Sequence, residues 1–78
     1  MTIEQIRHMH QAKPFKPFTI HVADGASYEV PHPENLMQSQ GGRTLAVSTE
    51  GDAIVIIDLL LVTRITTSNG STSARRRR

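Results

Sequence analysis

The chain carries histidines at positions 8, 10, 21 and 32, the residues best suited to bind a metal or move a proton. His8 and His10 are two apart, so on a helix they point to different faces and cannot share an ion. His21 falls on the outer side of a strand and His32 between two prolines. Together they form a candidate polar surface site, but the sequence places no third ligand beside them. With no cysteine there is no thiolate metal site, cysteine nucleophile or disulfide framework. No serine sits in a G-x-S-x-G frame, and Gly41-Gly42-Arg43 is too short to cradle a phosphate. Glu50 and Asp52 flank Gly51 as turn formers. Asp58 ends an apolar run and is expected to cap the Leu59-Leu60 turn with its own carboxylate. The expectation is a protein that binds and does not catalyse, with no catalytic residue, cofactor or metal assigned.

The strongest binding signal is electrostatic. Four of the nine Lys/Arg are Arg75, Arg76, Arg77 and Arg78, which leaves five basic residues against seven acidic ones in the rest of the chain. Four clustered guanidiniums suit salt-dependent, sequence-independent contact with phosphates, or an acidic protein surface. Lys13 and Lys16 join them as candidate nucleic-acid contacts, and the partner class implied is RNA or another polyanion. The remaining basic residues, Arg7, Arg43 and Arg64, are scattered and mark no stripe.

The elements that would hold these residues follow from periodicity. Thr2 and Gln5 match a capping box, and Ile3, Ile6 and Met9 form one apolar stripe, predicting a helix over residues 2–12 that Lys13-Pro14 ends. Pro14 to Phe18 is a stiff lead-in, with Phe15 and Phe18 as the anchors between helix and sheet. The stretch FTIHVADGASYEV then reads as a hairpin. A two-residue Asp-Gly turn would mix apolar and polar residues on one face. A three-residue Ala23-Asp24-Gly25 loop pairs Phe18 with Val30, Ile20 with Tyr28 and Val22 with Ala26, with Gly25 left-handed at a bulge.

Strands are expected at about 17–23, 26–30, 44–48, 53–57 and 61–66, in a single domain over residues 1–66. Pro31-His32-Pro33 breaks the second strand, Glu34 to Met37 fit one helical turn, and Gln38 to Arg43 read as a glycine-rich loop. Residues 67–78 are small, polar and basic, and are expected to be a disordered tail. The fold class expected is mainly β with one N-terminal helix: a small five-stranded antiparallel SH3-like or Sm-like barrel, or a strongly bent sheet. The fourth strand is apolar on both faces, which fits a central strand or one at a subunit interface.

Size adds a further constraint. A chain of 78 residues buries only about 60% of the surface its unfolded form exposes, and without disulfides homo-oligomerisation or a protein partner is the natural supplement. The first residues lack an apolar signal-peptide core, and the longest apolar run is too short to cross a bilayer. A cytoplasmic protein with no membrane association is the expectation.

Two resemblances follow from these motifs. Pro17-Phe18-Thr19-Ile20-His21-Val22-Ala23-Asp24-Gly25 resembles the first Sm motif of the bacterial Hfq-type RNA chaperones, and Ile56 to Ile65 resembles the turn and final strand of the second. That resemblance implies a ring-forming barrel that binds RNA, although Ile57, Asp58 and Leu59 stand where that family places its uridine-pocket cluster. The chain is more closely similar, over residues 2–66, to a group of short uncharacterised bacterial proteins sharing PF-x-PF, a His-x-Ala-Asp-Gly turn and an Ile-Asp-Leu-Leu-Leu-Val-Thr end. This likeness implies no particular function. The alternative to RNA binding is a protein-interaction module acting by strand pairing or homo-oligomerisation.

Overall fold

The structure is a computed structural model and describes residues 1–49, 51 and 53–67. The helix, α1, spans Ile3–His10. Its N-cap is the expected capping box: the Thr2 hydroxyl accepts from the Gln5 amide, and the Gln5 side chain accepts from the Thr2 amide at 3.0 Å. Ile6 is its one fully buried residue, while Ile3 and Met9 pack at the margin of the core.

Among the described residues six strands follow: β1 Phe18–Val22, β2 Ser27–Val30, β3 Leu36–Gln38, β4 Thr44–Ser48, β5 Ile54–Asp58 and β6 Val62–Thr67. They form two three-stranded antiparallel sheets, ordered β2-β1-β6 and β3-β4-β5. The expected five-stranded barrel is therefore not formed, and the single bent sheet becomes two sheets. The cause lies at two corners. Pro31 and Pro33 have no amide hydrogen to extend the β2 ladder; the chain turns through a 3-10 segment, Pro33–Asn35, and enters the second sheet as β3. At the other corner a 3-10 turn, Leu59–Leu61, returns it to the first sheet.

The hairpin adopts the three-residue register. Phe18 pairs with Val30 and Ile20 with Tyr28, and the Val22 amide donates to the Ala26 carbonyl at 2.9 Å. Asp24 accepts from the Ala26 amide, and Gly25 has φ +93°, a conformation that costs other residues about 1–2 kcal/mol. Asp58 caps the second corner as expected, accepting from the Leu60 amide at 3.0 Å.

The third strand is a correction. Leu36 to Gln38, expected as part of a helical turn and a loop, pairs with Val47, Ala46 and Leu45 of β4. Three residues carry too little local signal to declare a strand; pairing with a stable neighbour decides it.

Both sheets turn their inner faces onto one core. Phe18, Ile20, Val30 and Val62 come from the first sheet, Leu36, Leu45, Val47 and Ile57 from the second, and Ile6 and Leu59 fill the ends. Val22 and Tyr28 lie half-buried against it, and Phe15 stacks tilted on Phe18 with ring centroids 5.8 Å apart. The glycine-rich loop has a packing role. Gly42, at φ +73°, is buried, and any Cβ there would stand 3.2 Å from Ile3, so the missing side chain is what seats the helix.

Candidate functional site

The polar candidates are dispersed by the fold. His21 lies on the outer face of β1, opposite Ser27 on β2 and Arg64 on β6, with its Nε2 2.9 Å from the Thr66 hydroxyl. His32 is exposed beyond the far end of β2, where its amide donates to Asn35 Oδ1 at 3.1 Å. Ser27 and Val30 already lie three strand steps apart, so the two histidines are separated by at least about 10 Å and form no common site. Among the described residues no cluster of three His, Asp or Glu side chains converges. Partial burial, and then the facing Arg64 guanidinium, push the His21 pKa below its ordinary 6.5.

His10 serves the fold. A carbonyl can only accept, so its Nε2 donates to the Pro33 carbonyl at 2.7 Å; its Nδ1 accepts from the Gln38 side-chain amide at 2.9 Å. The ring thus ties α1 to the first corner and to β3. His8 is exposed, as are Lys13 and Lys16 on the connector to β1. Arg75, Arg76, Arg77, Arg78, Glu50 and Asp52 lie outside the described residues. Tyr28 is half-buried against the core and offers no free stacking platform.

The feature that stands out is β5. It is not a central strand, as one expectation had it, but an edge of the second sheet. Ile54 and Ile56 are each 66% exposed on its outer face. Met37, 67% exposed, lies in the same cross-strand row as Ala46 and Ile56. Leu60, just past Asp58, is 87% exposed. Met37 was missed by sequence reasoning because its segment was expected to be helical; nothing local marks it as part of a sheet face.

The backbone of β5 can be read in the same detail. The Thr49 amide donates to the Ala53 carbonyl and the Leu59 amide to the Arg43 carbonyl, both at 2.8 Å. These bonds continue the register in which Val55 faces Val47 and Ile57 faces Leu45. Hydrogen-bonding direction alternates along an antiparallel strand, so residues 53, 55, 57 and 59 address β4. Ile54 and Ile56 point their amides and carbonyls the other way, and Asp58 its amide, its carbonyl accepting the first bond of the Leu59–Leu61 turn; no strand pairs with these groups among the described residues.

The other three edges carry protection that β5 lacks. β2 bears Glu29 and runs into Pro31; β3 is three residues long and follows Pro33; β6 carries Arg64 among threonines. Charge, proline and shortness are the usual devices against edge pairing. β5 has five residues and one charge, at its end.

No family model, curated protein or solved structure matches the chain. No helix among the described residues is long and apolar enough to cross a membrane.

Proposed function

We propose that this protein is a non-enzymatic assembly module that works by strand addition at β5. The observation that carries this is the one unprotected strand edge among the described residues, with Ile54 and Ile56 exposed beside the outward backbone groups of Ile54 and Ile56 and the outward amide of Asp58. An added strand would satisfy those groups and cover the flanks of both isoleucines, while pockets between alternate side chains would select the partner. RNA binding of the Sm type draws no comparable support from the described surface, where the basic side chains are scattered and the one tyrosine packs on the core.

The test uses a probe strand: a peptide carrying residues 53–59 between lysine pairs, added to dilute isotopically labelled protein. The expected result is slowed amide exchange at Ile54, Ile56 and Asp58, with β2 and β6 unaffected. If the peptide leaves those three amides unprotected at every concentration, strand addition at β5 is wrong. An oligo-uridine arm tests the rival: slowed exchange or shifted resonances at low salt with RNA, and none with peptide, would replace assembly by RNA binding.

A further inference from the structure

We infer that the strand β5 receives is β5 of a second copy of this chain, paired antiparallel about a two-fold axis through Ile56. This rests on the strand-addition reading of β5 and names its partner.

The alternation of the ladder restricts which registers are available. Only Ile54, Ile56 and Asp58 have outward backbone groups, so a partner must oppose them with residues of the same parity. Two copies of β5 meet this condition only when the axis passes through a residue and not between two. An axis through Ile56 sets Ile56 against Ile56, and Ile54 against Asp58 of the other copy. The outward-pointing residues then meet as hydrogen-bonded pairs, for about four new backbone hydrogen bonds: two between the Ile56 residues and one from each Asp58 amide to the facing Ile54 carbonyl.

The neighbouring register, centred on Val55, pairs only Ile54 with Ile56 of the second copy and leaves Asp58 opposite no residue of β5. The register through Ile56 keeps the two Asp58 carboxylates about 13 Å apart, four strand steps along the seam. It also places both copies the same way up. Their cores lie on one side of a six-stranded sheet, and on the other side Met37, Ala46 and Ile56 of each copy line up in one apolar row across the axis. An axis between residues would set inward-facing Val55 or Ile57 against outward-facing Ile56 and put the two cores on opposite sides. The seam is only five residues long, which places the dimer among weak, concentration-dependent associations.

The chain has no cysteine, so one introduced thiol gives an unambiguous readout. In Ile56→Cys the facing Cα atoms would stand about 5.5 Å apart, within disulfide range. Oxidised glutathione would take up the two protons and two electrons as the bond forms. In Ile54→Cys the two thiol-bearing residues would be about 13 Å apart, beyond bridging. Both positions are exposed, and circular dichroism checks that each variant folds. The expected result is a covalent dimer for Ile56→Cys, a monomer for Ile54→Cys, and a dimer mass for the unmodified protein at millimolar concentration by light scattering. Equal cross-linking of the two variants, no cross-linking of Ile56→Cys, or a strictly monomeric parent overturns the two-fold seam. If the probe peptide still docks at β5 in that event, strand addition survives with a different partner. If it does not, both fail together.

Discussion

The two sheets share an architecture and a core yet differ on their outer faces. The first presents Thr19, His21, Ser27, Glu29, Arg64 and Thr66 to solvent, all polar, with registers that bring His21 between Ser27 and Arg64. The second presents Met37, Ile54 and Ile56, with a single charge in Asp58 at the strand end, around the small β4 side chains Thr44, Ala46 and Ser48. Inner faces are alike because one core demands apolar residues from both sheets. Outer faces are free of that demand, so their composition reports on what each meets. A polar outer face needs only water. An apolar one beside an open edge exposes hydrophobic surface that a second molecule can cover.

The largest effects should be those that treat the sheets alike. Phe18→Ala in the first sheet and Leu45→Ala in the second each remove a fully buried side chain and are expected to cost about 3–5 and 2–5 kcal/mol respectively. In urea both variants should lose both sheets in one transition. Separate transitions for the two sheets would show that the core does not couple them. Next comes Ile56→Pro. The Ile56 amide points away from β4, so proline there removes no ladder bond and is tolerated as on other edge strands. The dimer dissociation constant should rise at least tenfold, about 1.4 kcal/mol, with monomer stability nearly unchanged; Glu29→Pro on β2, whose amide likewise points away from its neighbouring strand, provides the comparison and should leave association intact.

Smaller effects probe the joints between the sheets. Asp58→Ala removes the carboxylate that holds the Leu60 amide at the second corner, for an expected loss of about 1 kcal/mol by analogy with helix caps, read from the urea midpoint. The smallest is a pH effect on the polar face. Because the folded pKa of His21 is depressed, the unfolded chain binds more protons between that value and 6.5. Stability from this residue is complete above pH 6.5 and is lost as pH falls through the folded pKa. Replacing His21 with Gln should flatten that part of the stability profile, read as urea midpoint against pH.

Legibility in the sequence varied with how local the determining interactions are. The capping box of α1, the Ala23-Asp24-Gly25 loop and the Asp58 cap were all readable because each is decided within about five residues. Helix limits were overestimated at the C-terminal end, expected to reach residue 12 and observed to stop at His10. The third strand was missed because β4, several residues further on, creates it. Barrel closure was misjudged for a related reason: each strand alternates correctly, but whether β2 and β3 join depends on what Pro31 and Pro33 do to a ladder. The candidate site was half visible. An apolar β5 reads the same in sequence whether its own chain or another covers it, and the direction of its backbone groups depends on the register with β4. The histidine pair was the least legible, since strand length, not side-chain type, keeps His21 and His32 apart.

The contact between Ile3 and Gly42 has a consequence in time. An eight-residue helix with one buried side chain is too short to persist by itself. Its supports are a glycine, the Pro33 carbonyl and the Gln38 side chain, all at least twenty-three residues further along the chain. The helix, which precedes the β3–β4 loop in chain order, is thus obliged to wait for that loop before it can settle. Until then Ile6 and the underside of the first sheet are open to any chaperone or neighbouring chain that arrives sooner.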